Sequence, residues 1–223
     1  MKDIIIAPSV LSANFADLKT ELKRCNESNI KWIHYDVMDH DFVPNLTFGS
    51  KILKDIVSSS NFNIDIHFMV KVKTPVFEDF FEEYIKCKPK MMTMHIETMS
   101  NEEIQKFYNL CIKNNIMFSV AVSPKTEIQI LDNWLDKLDN VLVMSVEPGF
   151  GGQTFISEVL EKVKYLAKNK KDNKFKYIIE IDGGINDQTS KQAIDAGVEM
   201  MVAGSYLFES DNFKEKVESL KNA

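Results

Sequence analysis

Residues 177–205 read YIIEIDGGINDQTSKQAIDAGVEMMVAGS. The apolar run from Tyr177 to Ile181 has the pattern of a strand and ends at Asp182, where Gly183-Gly184 breaks it. Asn186 or Asp187 then stands where a helix cap belongs. The stretch behind it carries Ala193, Ile194 and Ala196, and Gly197 ends it. A second strand-like run covers 198–203 and stops at Gly204. Strand, helix and strand in this order make one parallel crossover unit, with a carboxylate and glycines at the strand ends.

The same alternation extends outward over the whole chain. Strands are expected near 4–8, 31–37, 63–69, 91–95, 117–122, 140–146, 177–182 and 198–203. Helices are expected near 15–28, 49–59, 75–87, 100–114, 126–137, 156–170, 187–196 and 211–221. Eight such units in 223 residues predict a closed parallel barrel with its helices outside, one domain over 1–223. An open doubly wound sheet is the competing arrangement, but no GxGxxG follows the first strand. Some helix starts carry their own signals. Ser100 and Glu103 form a capping box, and Thr74-Pro75 places a cap before a proline at the first helical position.

Composition narrows the class. A hydrophobic fraction of 44% with 27% charged residues describes a soluble globular chain. No apolar run is long enough to span a bilayer, and the apolar N-terminus before Pro8 reads as a first strand instead of a signal peptide. Cys25, Cys87 and Cys111 are widely spaced, match no disulfide or CxxC pattern, and are expected as free thiols in a reducing cytoplasm. The net charge of −6 speaks against nucleic acid. Arg24 is the only arginine and falls in a surface helix, so a bound phosphate would have to be held by backbone amides.

His34, Asp36, His67 and Asp182 each lie at the end of a strand-like run. His34 and Asp36 are two apart, so they face the same side of their strand. A strand histidine by itself is more often a hydrogen-bonded core residue. Two imidazoles with two carboxylates at one end of a parallel sheet make a donor set for Zn²⁺, Fe²⁺, Mn²⁺ or Co²⁺. Asp65 and Glu180 share the parity of the ligands and should face the barrel interior, where buried carboxylates need hydrogen-bond partners. His95 and Glu97 are expected as polar lining and not as ligands. Six of the eight glycines fall after the sixth, seventh and eighth strands, at Gly149, Gly151, Gly152, Gly183, Gly184 and Gly204. Loops in those places commonly bind phosphate. Proton removal on one face of a carbon beside a ketone, with return on the other, needs two such carboxylates and a Lewis acid.

The stretches APSVLSANFADL at 7–18, HYDVMD-x-x-FVPN at 34–45, DIHFMV at 65–70, SVEPGFGGQTF at 145–155, EIDGGIN at 180–186 and VAGS at 202–205 resemble the ribulose-phosphate 3-epimerase family. The resemblance implies a single TIM barrel of the ribulose-phosphate-binding type. It also implies interconversion of D-ribulose 5-phosphate and D-xylulose 5-phosphate through a metal-stabilised 2,3-enediolate in the pentose phosphate pathway. His34, Asp36, His67 and Asp182 are then metal ligands, with Asp36 and Asp182 as the acid/base pair. Substrate contacts are expected at Ser9, His67, Gly149, Phe150, Gly151, Gly152, Asp182, Gly183, Gly184, Gly204 and Ser205, and Met38, Met69 and Met144 line the metal site. One divalent ion per subunit is expected, Zn²⁺ first, with Fe²⁺, Mn²⁺ or Co²⁺ as alternatives. A phosphorylated ketopentose is the expected partner, in a cytoplasmic homo-oligomer without nucleic-acid or membrane contacts.

Two departures from the family pattern stand out. His40-Asp41 replaces the usual glycine-containing turn, which is costly if the position needs positive φ, and His40 could approach the site. Phe68 replaces a commoner leucine on the outer face. The alternatives are a 3-epimerase of a ketohexose 6-phosphate such as allulose 6-phosphate and, in a different class, a non-catalytic phosphosugar-binding metal protein. A decarboxylase on a related barrel would carry D-x-K-x-x-D where this chain has DIHFMV at 65–70.

Overall fold

The computed structural model describes residues 4–223; the first three residues of the N-terminal apolar run lie outside it. Eight parallel strands follow in chain order: β1 (Ile5–Pro8), β2 (Trp32–Met38), β3 (Asn63–Met69), β4 (Met91–His95), β5 (Met117–Val122), β6 (Asn140–Met144), β7 (Ile178–Asp182) and β8 (Met200–Ala203). From β2 to β8 each pairs with its neighbour in sequence, and β1 pairs with β8. A parallel bridge between Ser9 and His34 joins the remaining edges, at the level where the first metal-ligand candidate sits. The result is the expected (β/α)8 barrel.

Strand parity sorts the side chains as the pleat requires. Ile33, Tyr35, Ile66, Phe68, Val120, Val143 and Ile181 point outward into the layer under the helices, where all are fully buried. Phe68 meets Phe81 and Tyr84 edge-on at ring separations of 5.2 and 5.0 Å, so its role is packing. Inside the barrel, Ala7, Met91, Met200 and Val202 form an apolar cluster. Apart from it stands a polar set that includes His34, Asp65, Thr93, Ser119, Asn140 and Glu180, each 0% exposed.

The helices are α1 (Leu18–Glu27), α2 (Ser50–Ser59), α3 (Glu82–Ile85), α4 (Asn101–Lys113), α5 (Leu160–Asn173), α6 (Thr189–Ala196), α7 (Ser205–Phe208) and α8 (Phe213–Lys221). The Ser100–Glu103 capping box is formed at the start of α4. Ahead of α6 it is Asn186, not Asp187, whose side chain accepts from the Gln188 and Thr189 amides, and Gly197 ends that helix at φ 118°.

Two expected helices differ. The helix expected over 126–137 is a 3₁₀ segment, Ile128–Leu131, followed by turns. Its amide bonds alternate between three- and four-residue spacing, Trp134 and Leu135 both bonding to the Leu131 carbonyl. Asp132, Asn133 and Asp136 are poor helix formers, and the Tyr165 hydroxyl on α5 draws off the Asp132 carboxylate at 2.8 Å. The helix expected over 75–87 opens as a 3₁₀ segment at Phe77–Phe81, with Val76 before it. Thr74 does not cap it; its hydroxyl donates to the Val76 carbonyl at 2.7 Å.

Candidate active site

The carboxyl ends of β2, β3 and β7 bring the four candidate ligands together. One donor atom from each of His34, Asp36, His67 and Asp182 lies within 4.8 Å of the others. His34 Nε2 is 3.3 Å from both His67 Nδ1 and Asp36 Oδ1, and His67 Nδ1 is 3.2 Å from Asp36 Oδ1. Asp182 Oδ2 stands slightly farther off, 3.9 Å from His34 Nε2 and 3.8 Å from His67 Nδ1. Four ligands held about 2.0–2.2 Å from one tetrahedral ion would be spaced by roughly 3.3–3.6 Å. The cluster therefore has both the chemistry and the spacing of a divalent-metal site.

Neighbouring groups orient the ligands. His34 turns its other nitrogen, Nδ1, to Asp65 Oδ2 at 2.6 Å, and Thr93 Oγ1 donates to the second Asp65 oxygen at 3.2 Å. Asp65 thus finds the partners its burial demands, whereas Glu180 Oε1 and Asn140 Oδ1 are buried without a hydrogen-bond partner. Asn140 Nδ2 donates to Glu180 Oε2 at 2.7 Å. Burial, then the adjacent Asp65 charge, raises Glu180 well above the usual carboxylate range.

The two ligand carboxylates are not equivalent. Burial opposes ionisation of Asp36, but the His34 charge and the hydrogen bond from His34 outweigh it and hold the group far below its ordinary range. Ser9 Oγ donates to its other oxygen at 2.6 Å. Asp182 receives no comparable donor. Burial, with the Asp36 and Asp65 charges, raises it to about 7 despite His34. Burial opposes the charge of His34, yet Asp36 and Asp65 raise it well above the imidazole range, while burial lowers His67. Backbone clamps fix both strand ends. Thr47 donates to the Asp36 carbonyl at 2.7 Å, and Ser145 donates to the carbonyls of Asp182 and Gly183 at 2.9 and 2.7 Å.

The cluster forms part of the floor of a cleft of about 740 Å³ whose walls include both ligand carboxylates, Ser9, and all three methionines, Met38, Met69 and Met144. The loop from Gly149 through Phe150, Gly151 and Gly152 forms another wall; Gly183, Gly184, Gly204 and Ser205 form the far end. His34 and His67 are 0% exposed and sit behind this surface. Two glycines there admit no side chain. A Cβ on Gly183 (φ 117°) would lie 2.5 Å from Val146 Cγ2, and one on Gly184 (φ 62°) would lie 2.7 Å from the Phe155 amide nitrogen. The backbone runs that tightly only without side chains. Arg24 does not line the cleft; it bonds Glu21 on its own helix and the Phe208 and Ser210 carbonyls.

His40 has φ 59°, the strained conformation that a glycine would relieve, and its exposed side chain does not line the cleft. Sequence reasoning missed three contributors: Thr47 and Ser145, which act from loops, and His95, whose Nε2 lies 2.9 Å from His67 Nε2. His95 was legible as a polar strand end; its partner was not.

The sequence profile of the Ribulose-phosphate 3 epimerase family matches residues 5–208. The ribulose-phosphate 3-epimerase of Synechocystis sp. is 34% identical over 224 residues, covering 100% of this chain and 95% of that protein. The ribulose-phosphate 3-epimerase of Escherichia coli K12 is 34% identical over 223 residues, with coverage of 100% and 96%. Among solved structures, 3-keto-L-gulonate-6-phosphate decarboxylase from Vibrio cholerae superposes with a TM-score of 0.72 at 12% identity, covering 100% of this chain and 97% of that one. That likeness concerns the fold alone. The profile match and the full-length relatives place this chain in the ribulose-phosphate 3-epimerase family.

Proposed function

We propose that the protein interconverts D-ribulose 5-phosphate and D-xylulose 5-phosphate, with Asp36 and Asp182 as the two acid/base groups. The observation that carries this reading is the convergence of both carboxylates and both imidazoles beside a glycine-walled cleft. His34, Asp36, His67 and Asp182 would hold one divalent ion, for which Zn²⁺ suits the mixed nitrogen–oxygen set and its near-tetrahedral spacing. A bound ion would polarise the substrate ketone and offset the charge of the enediolate. The chain's own groups do the rest. The carboxylates come from β2 and β7, so they approach a bound sugar from different sides. One removes the C3 proton and the other returns one to the opposite face, exchanging roles in the reverse direction.

The glycine loops after β6, β7 and β8 take the phosphate end, through backbone amides that Gly183 and Gly184 bring close. Ser9 faces the cleft while bonded to Asp36, so it orients that carboxylate and also reaches the substrate. Met38, Met69 and Met144 exclude water from the reacting carbon, which strengthens electrostatic interactions there.

The reading is tested by running the reaction in D₂O with D-ribulose 5-phosphate. One solvent deuterium at C3 of xylulose 5-phosphate is expected. Asp36→Asn and Asp182→Asn should each lower kcat by about 10²–10⁴ while the fold persists. Full activity in either variant would exclude the two-carboxylate mechanism, and sugar binding without deuterium uptake would exclude catalysis. Relative rates with allulose 6-phosphate decide between pentose and hexose.

A further inference from the structure

His95 takes no part in the chemistry above. It is 0% exposed at the end of β4, behind the cleft surface, and its ring makes three polar contacts, the longest a 3.4 Å approach of Ser123 Oγ to Nδ1. Its Nε2 is 2.9 Å from His67 Nε2, and its Nδ1 is 3.0 Å from Glu97 Oε2. Glu97 is itself fixed, because its other oxygen accepts the Ser123 amide at 2.8 Å. The Ser123 segment is pinned in turn: Lys162 Nζ donates to the carbonyls of Ser123, Pro124 and Thr126, the first two at 2.9 and 2.7 Å.

Hydrogen-bond logic then runs in one direction. A carboxylate only accepts, so His95 Nδ1 carries a hydrogen. Neutral His95 therefore has a bare Nε2. Two ring nitrogens at 2.9 Å must share a single hydrogen, so His67 Nε2 donates it. Neutral His67 is left with its lone pair on Nδ1, the atom aimed at His34 Nε2, Asp36 Oδ1 and Asp182 Oδ2. His34 offers the opposite ring nitrogen to the same point and is oriented by Asp65. Two ligands presenting different nitrogens need two different orienting devices.

We propose that Glu97 and His95 are positioning residues that fix the tautomer of His67 and so present its Nδ1 lone pair to the divalent ion. The proposal rests on the metal site of the preceding section, and its test separates the two. Zn²⁺ dissociation constants, measured at one pH by chelator competition, and Co²⁺ visible spectra are compared for wild type, His67→Ala, His95→Leu, His95→Gln and Glu97→Gln. Circular dichroism melts report folding.

Wild type should bind one ion, and His67→Ala should lose it. His95→Leu removes the acceptor. In Glu97→Gln the amide oxygen goes to the Ser123 amide and the NH₂ faces His95 Nδ1, reversing the tautomer. Both should weaken binding about 10–100-fold, with shifted Co²⁺ bands. His95→Gln restores an acceptor and should regain most of the affinity; if His95→Leu does not fold, His95→Gln and Glu97→Gln decide. Wild-type affinity and spectrum in Glu97→Gln and His95→Leu, with binding still lost in His67→Ala, would overturn the proposal and leave the metal site standing. His95→Gln binding as weakly as a folded His95→Leu would reduce His95 to packing and overturn it as well. No ion on wild type, or full affinity in His67→Ala, would overturn both.

Discussion

Asp36 and Asp182 show that a carboxylate's proton affinity here follows from the donors it receives. Asp36 takes hydrogen bonds from Ser9 and His34; Asp182 takes none of that strength and feels two negative neighbours. An ion and a proton compete for the Asp182 oxygen, which by protein groups alone holds its proton up to about 7. The sign is direct: lowering pH through that value protonates a ligand, so affinity falls as pH falls. Apparent Zn²⁺ affinity should drop about tenfold per pH unit below 7 for this one proton, and more steeply as His34, also raised, competes. Chelator competition between pH 5.5 and 8, values chosen to span roughly one to two units about neutrality, checks this; a flat profile would refute it. Gly184 poses the complementary case. A methyl there meets the Phe155 backbone, which cannot rotate away, and the φ of 62° adds strain. Gly184→Ala should cost about 1–3 kcal/mol of stability and raise KM for the phosphosugar more than it lowers kcat. Urea melts and steady-state kinetics separate those two effects.

At the level of elements, the site depends on strands whose ends are clamped from loops. Lys162 on α5 serves the barrel segment where the expected helix is missing. Its ammonium donates to the carbonyls of Ser123, Pro124 and Thr126, in the loop that leads into that segment. Replacing it with methionine keeps the apolar stem and removes the donors. Lys162→Met should lose about 1–3 kcal/mol in chemical denaturation, because the Pro124 and Thr126 carbonyls lose this donor, while Ser123 keeps the Thr126 amide; an unchanged midpoint would show that water replaces the ammonium. This same segment marks where sequence reading stops. Apart from the largely 3₁₀ stretch at 75–87, the other βα units announced themselves through apolar period or glycine breaks, and the ligands His34, Asp36, His67 and Asp182 were visible because each ends a strand at fixed parity. The 126–137 stretch has helical spacing of Ile128, Leu131 and Leu135, yet its hydrogen bonds are decided by Lys162 and Tyr165, more than twenty-five residues away. Periodicity carries no information about such partners. The His67–His95 contact was hidden for the same reason: parity predicts that both rings face inward, but only the strand register brings their nitrogens together. His40 is a middle case, in which the sequence named the strained position and the structure alone showed that the loop tolerates it.

For the whole molecule, the polar set inside the barrel has an energetic consequence. His34, Asp65, His67, His95, Asn140 and Glu180 are fully buried among strands where apolar side chains would pack without any loss of hydration. Hydrogen bonds compensate for part of that loss, but Asp36, Asp65 and Asp182 still bring their negative charges close together around His34. A divalent ion at the four donors would neutralise that excess in the folded state alone, because unfolding scatters ligands drawn from β2, β3 and β7. Its binding energy is therefore folding energy. At an ion concentration about a thousandfold above Kd the folded protein should gain roughly 4 kcal/mol. For a chain of this size that corresponds to a rise in Tm of about 8–16 °C over protein stripped with chelator. His67→Ala should lose most of this metal-dependent increment, whatever its effect on the stripped protein. Scanning calorimetry with and without Zn²⁺ measures both. Equal Tm values in wild type would mean that the interior charges are already balanced by protonation of Glu180 and Asp182, and that the barrel gains no stability from the ion.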